Sequence, residues 1–239
     1  MRNIVTLAQR ELAAYFFSPI AYVVIALFLS LSGFFFISMV FTPGNPASMR
    51  PVFEFVIPMI LFFALPIVAM RLMSEELRSG TIEQLMTAPV TDAQVILGKF
   101  FGVLVFYVAM LATTVVHWIM VGLYGDTDFG ATVAAYIGLL GLGGLFLAVT
   151  LFFSTCTKNQ VIAALASLVV LGLFTWLPML VSQHVEGTLR AVIQHAGVMP
   201  HYQEFSRGLI DLNHVLYFLS GIALFLFLSV KVLESKRWR

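Results

Sequence analysis

Six long apolar runs, separated by short polar or Gly/Pro-rich breaks, organise the chain: Ile20–Phe41, Val52–Met70, Val95–Leu123, Ala131–Phe153, Val161–Val181 and Val215–Val232. Each is long enough to cross a hydrocarbon core of about 30 Å at about 1.5 Å per helical residue. The breaks differ in character. Residues 42–51 are rich in Pro, Gly and Asn, 124–130 are short and acidic, 154–160 carry one lysine, and 182–214 form the longest link. The pattern predicts an all-α membrane protein, with six transmembrane helices in a single transmembrane domain over residues 1–239. Pro58 and Pro66 are expected to bend the second span, and Pro178 the far end of the fifth.

The stretch before the first span has a different period. At 100° per residue, Arg2, Asn3, Thr6, Gln9 and Arg10 share one arc, while Ile4, Leu7, Ala8, Leu12 and Tyr15 share the other, with Glu11 intruding among them. This predicts an amphipathic interfacial helix over residues 1–19, ended by the bend at Ser18–Pro19. The first apolar run is too long for a removable leader and lacks a small-residue cleavage pattern, so it is expected to be retained.

Composition agrees with a bilayer environment. Of 239 residues, 60% are hydrophobic and 10% charged, against about 25% charged in a soluble domain. The net charge of +1 gives no field for nucleic acid, and one cysteine, Cys156, excludes an intrachain disulfide framework. Lysine and arginine set the orientation. With both termini inside, Arg2, Arg10, Arg71, Arg78, Lys99, Lys158, Lys231, Lys236, Arg237 and Arg239 face the cytoplasm, leaving only Arg50, Arg190 and Arg207 outside. The expected location is the bacterial inner membrane, multi-pass, with both termini cytoplasmic.

The segment between spans two and three, Arg71 to Lys99, concentrates charge and has internal order. Gly80 supplies a tight turn, Thr81 and Gln84 fit a capping box, and Ile82, Leu85 and Met86 repeat on one helical face until Pro89. Thr91 and Gln94 fit a second capping box at the start of span three. The residues therefore predict a short cytoplasmic helix whose apolar face awaits a partner protein, within a segment of residues 71–94.

This run resembles the signature of ABC-2-type permeases, the membrane halves of ATP-binding-cassette exporters, and is closest to the gliding-motility-associated branch. The matching positions are Glu75, Glu76, Gly80, Thr81, Glu83, Leu85, Pro89, Val90, Gly98 and Lys99. A second similar stretch precedes the last span, at Pro200, Tyr202, Phe205, Arg207, Gly208, Ile210 and Asp211. The resemblance implies a half-transporter that pairs with a second permease, identical or related, and is driven by separate ABC ATPase subunits. It implies that Glu75, Glu76, Arg78, Gly80, Thr81, Ile82, Glu83, Leu85 and Met86 form the ATPase-coupling segment. It further implies that residues 182–214 form a re-entrant outer segment, with Pro200, Tyr202, Phe205, Arg207, Gly208 and Asp211 at an outer gate. Leu189, Val192 and Ile193, and then Phe205, Leu209 and Leu212, read as apolar helical stripes there.

The residues agree with that division of labour. No G-x-x-x-x-G-K-[ST] occurs, so no cofactor is expected on this chain, and ATP and Mg are expected in the partner ATPase. Gly138, Gly141 and Gly144 lie on one face of span four and read as helix packing. Spans four and five carry no Asp, Glu, Lys, Arg or His, and span six none before Lys231. Ion-coupled carriers keep such groups in their cores, so this one needs external power. His117 reads as a structural histidine of span three. His184, His195, His201 and His214 are spaced unlike any compact metal-ligand motif. A non-transporting scaffold that anchors an ATPase to an envelope or motility machine is the alternative function. An intramembrane enzyme has no nucleophile–base pair in the spans to support it.

Overall fold

A computed structural model describes residues 2–40, 48–81, 90–124 and 128–237. Among these the chain is helical throughout, and six helical stretches are long and apolar enough to cross a membrane. Helix α1 (Arg2–Phe16) precedes α2 (Pro19–Val40), the first span. The second span comprises a π-helical turn (Val52–Val56), α3 (Ile57–Ala69) and α4 (Arg71–Ser79). The third comprises α5 (Asp92–Ala112) and α6 (Val115–Tyr124), the fourth is α7 (Phe129–Cys156), and the fifth is α8 (Gln160–Thr175) followed by α9 (Leu177–Val181). Two short helices, α10 (Gly187–Ala196) and α11 (Val198–Ser206), lead into the last span, α12 (Leu212–Arg237).

The helix starts have local causes. Thr91 and Gln94 form the reciprocal capping box expected at α5, while Asp128 caps α7 and Asn159 caps α8 with their side-chain oxygens. The irregularities have causes too. Pro58 cannot donate to the carbonyl of Glu54, and the Ile57 N–H instead reaches Val52 five residues back, which gives the π turn. Span three breaks where the hydroxyls of Thr113 and Thr114 donate to the carbonyls of Met110 and Leu111, both at 2.7 Å.

Span four is the hub. In its most apolar window 72% of residues are buried, against 22% for the first span and 11% for the last. Its glycines let neighbours approach closely. A Cβ at Gly138 would collide with Phe205 of α11, at Gly141 it would lie 3.0 Å from Phe218 of α12, and at Gly144 3.0 Å from Ile222. On another face Gly143 leaves room for Tyr107, whose hydroxyl donates to the Leu139 carbonyl at 2.6 Å. A second pair of small residues, Gly98 and Gly102 on α5, seats α1. A Cβ there would stand 2.6 Å from Leu7 Cβ and 2.7 Å from Glu11 Cβ. The apolar arc of α1 thus packs on the start of span three. The peripheral spans keep large apolar side chains outward, among them Leu27 and Ile37 on α2, Val169 and Phe174 on α8, and Leu219 and Phe227 on α12.

Candidate functional site

At the end of the bundle carrying α1 and α4, here called the base, three helices meet around one buried cation. Lys99 on α5, with its side chain only 4% exposed, donates to Glu11 Oε1 of α1 at 2.9 Å and to Glu76 Oε1 of α4 at 2.8 Å. Arg10 flanks the same carboxylates from the exposed side, 3.4 Å from Glu76 and 3.6 Å from Glu11. The second oxygen of Glu76 is buried and has no partner among the described residues. Beside this cluster the Arg71 guanidinium lies 4.6 Å over the ring of Tyr15, whose hydroxyl donates to the Val68 carbonyl at 2.9 Å. Burial drives the Tyr15 phenol well above its ordinary range, although Arg71 pulls the other way. Tyr15 also stacks on Phe106 at 4.9 Å. The glutamate that intrudes into the apolar arc of α1 is therefore the residue that links the arc to Lys99.

Helix α4 continues the second span to Ser79, beyond the end at Met70 expected from hydropathy. Four charged residues ended the apolar run there, yet Leu72, Met73, Ser74 and Leu77 are buried. Met70 is a joint. Ser154 of span four, fully buried, accepts from the backbone N–H groups of Met73 and Ser74, both at 3.0 Å, and donates to the Met70 carbonyl at 2.7 Å. A side chain inserted in this way interrupts the helical hydrogen-bond ladder and accounts for the break between α3 and α4. Gly80 then ends α4 in the left-handed conformation, φ 75°, which disfavours any residue with a Cβ. Arg78 lies exposed in the last turn, where it complements the helix dipole, Glu75 is exposed, and the Thr81 hydroxyl lies 2.9 Å from that of Ser79. Ile82, Glu83, Leu85 and Met86, with the Thr81–Gln84 capping box, lie outside the described residues in whole or part.

At the opposite end, α11 is held in the bundle. Tyr202 and Phe205 are fully or nearly fully buried, and the Tyr202 hydroxyl donates to the Phe53 carbonyl of the π turn. Pro200 lies half-buried in the first turn of α11. Arg207 pairs with Glu204 at 3.0 Å. Gly208 adopts φ 86° with Ala131 Cα 3.1 Å from where its Cβ would be. Asp211 accepts from the Asn213 N–H at 3.1 Å and opens α12. The expected stripe of Phe205, Leu209 and Leu212 does not form. Gly208 breaks the helix, leaving Leu209 and Leu212 exposed while Phe205 is buried. Leu189 and Val192 of α10 are likewise exposed, and α10 buries no residue.

Sequence spacing missed two constellations. Lys99 stands 88 residues from Glu11 and 23 from Glu76, so its partners had no local signature. The available signal was a lysine inside an apolar run and a glutamate on an apolar arc. Likewise His195, His201 and His214 come together despite their spacing, with ring centroids 5.0 Å and 4.9 Å apart about His201. His117 is buried against Phe36, and its Nδ1 has no partner among the described residues.

Fold and site define a multi-pass helical membrane protein, built on one central span, with a buried ion cluster at its base. The chain belongs to the ABC-2 family: the family model for the ABC-2 family transporter protein matches residues 7–237. It is therefore a membrane subunit of the ABC transporter class, a non-catalytic component in a family that works with ABC ATPases. A search of the curated proteins found no match.

Proposed function

We propose that this chain is the permease subunit of an ABC exporter, pairing with a second permease and driven by separate ATPase subunits that carry ATP and Mg. Within the family we place it nearest the gliding-motility-associated branch, on the two stretches around Glu75–Lys99 and Pro200–Asp211. Its place is the bacterial inner membrane with both termini cytoplasmic, and α1 lies at the cytoplasmic surface.

The observation that carries the mechanism is the Lys99 cluster with the Ser154 joint above it. Residues 82–86 receive the stroke of the ATPase. The ion cluster makes α1, α4 and the start of α5 one body, so the stroke turns α4 about Met70 instead of bending it. Ser154 passes that rotation to span four. Gly138, against Phe205, relays it to the outer gate formed by Pro200, Tyr202, Phe205, Arg207, Gly208 and Asp211. Discrete packed elements of this kind transmit motion as rigid-body shifts.

The test is Leu85→Asp. Full burial of Ile82, Leu85 and Met86 against a partner contributes at most about 1.5–3 kcal/mol each, and a central carboxylate removes most of it. ATPase co-purification is expected to be lost, with the permease melting temperature unchanged. Glu83→Ala is expected to weaken co-purification only slightly, because a rim ion pair contributes about 0–1 kcal/mol. Full retention of a stimulated ATPase by Leu85→Asp rejects the coupling role. Orientation is tested separately with cysteines at the exposed positions Asp128, Glu186 and Lys158. The first two are expected to react with impermeant reagents from outside, and the third only after the inner face is opened. The reverse pattern inverts the topology.

A further inference from the structure

His201 joins three helices through one imidazole. Its Nε2 donates to the His195 carbonyl at the end of α10 at 2.9 Å, and its Nδ1 lies 2.7 Å from Nδ1 of His214 on α12. The ring stacks on Tyr217 at 4.0 Å, and the Tyr217 hydroxyl donates to the Ala196 carbonyl at 2.9 Å. His201 is almost fully buried, and α10 is otherwise exposed. The imidazole and the Tyr217 hydroxyl are thus the polar ties between the α10–α11 junction and the last span.

Proton counting limits the charge this arrangement can hold. The His195 carbonyl only accepts, so His201 Nε2 carries a hydrogen. One further hydrogen fits between the two Nδ1 atoms. In the neutral pair it sits on His214, and His201 accepts. One added proton still leaves one Nδ1 protonated and the other accepting, so the contact survives. A second added proton puts N–H groups on both facing nitrogens, with two positive charges in contact, and the pair has to open. We infer that His201 and His214 form a proton-binding site that clamps the α10–α11 junction to the last span while it holds no more than one added proton, and releases it on the second.

The surroundings do not offset a second charge. On α11 Glu204 is taken by Arg207 at 3.0 Å, and on the π turn Glu54 faces Arg50 at 3.7 Å. On α10 the nearest titratable group is the His195 ring, and on α12 Tyr217, with Asp211 turned to the Asn213 N–H just before it. Helix α8 carries no charged residue, and α7 meets α11 at Gly138, with its capping Asp128 bound to the Ala131 N–H. No carboxylate pairs with either imidazole among the described residues. Burial first, opposed by the bond to the His195 carbonyl, and then the neighbouring histidines, bring the proton affinity of His201 below its ordinary 6.5. A lowered folded value means that the stability contributed is complete above 6.5 and is lost as pH falls below it.

The proton site stands on this geometry, and its role as control of a gate rests on the proposed function. Its test therefore reads structure and not transport. In the full chain with Cys156→Ser, spin labels are placed at the exposed Arg190 of α10 and Leu216 of α12. Between pH of about 7.5 and about 5, the wild-type pair is expected to shift from one short distance to a longer, majority population. His214→Gln is expected to stay short throughout. Its amide can donate to neutral His201 or accept from charged His201, and it takes up no second proton. An unchanged wild-type distance, or equal opening in His214→Gln, overturns the proposal. If His214→Gln does not fold, ¹⁵N-histidine spectra of wild type decide the matter: the N–H···N coupling is expected at neutral pH and lost in acid, and its persistence or its absence at both overturns the site.

Discussion

The Lys99→Met variant is expected to melt roughly 10 °C below wild type, because breaking a buried ion pair from one side costs about 3–5 kcal/mol. Lys99 is 4% exposed and serves two carboxylates at once. Methionine fills the space but leaves Glu11 and Glu76 facing each other with only the exposed Arg10 to share. Glu76 already has one buried oxygen without a partner among the described residues, so no spare donor waits there. The companion variant Lys99→Met with Glu76→Gln is expected to recover part of the loss, since it leaves Glu11 alone with Arg10 in place of two carboxylates facing each other without the lysine. Thermal melts of the purified protein check both. A single variant that melts with wild type, or a double variant no better than the single, refutes the cluster's role as the clamp of α1, α4 and α5.

The contrast between what the sequence disclosed and what it withheld follows from range. Spans, and the cap at Thr91, depend on neighbours within a few residues, and hydropathy and capping rules read such neighbours directly. Gly208 shows where local reading fails: the period of Phe205, Leu209 and Leu212 is helical on paper, but a glycine at φ 86° resets the chain direction. The extension of span two fails for the opposite reason. Arg71, Glu75, Glu76 and Arg78 interrupt the apolar run, yet Arg71, Glu75 and Arg78 lie on one side of α4 while Leu72, Met73 and Leu77 are buried on the other, with Glu76 among them held by Lys99. Lys99 was visible as a family position, but its partners are contributed by α1 and α4, and pairing across such separations is set by packing. The seat that allows it, Gly98 and Gly102, stands four residues apart on α5. Its meaning emerges only once Leu7 and Glu11 are seen against it.

Ser154→Ala carries the second large effect, and it separates the joint from the docking surface. One buried hydroxyl satisfies two backbone donors, at Met73 and Ser74, and occupies the Met70 carbonyl. Alanine leaves two buried N–H groups without that acceptor, at about 1–3 kcal/mol for each that stays unpaired. Helices α3 and α4 can recover those bonds only by closing the ladder straight through Met70, which abolishes the break. Either outcome damages the proposed transmission: an unpaired joint lowers the melting temperature, and a straightened one moves α4 off the Lys99 cluster. Stimulation of ATP hydrolysis by the permease is therefore expected to fall about tenfold, the equivalent of about 1.4 kcal/mol, while the ATPase still co-purifies because residues 82–86 are untouched. Ser154→Thr keeps the hydroxyl and is expected to retain most of both properties. Parallel measurement of melting, co-purification and stimulated hydrolysis decides the question. Full stimulation and wild-type melting in Ser154→Ala would place the pivot of the second span elsewhere.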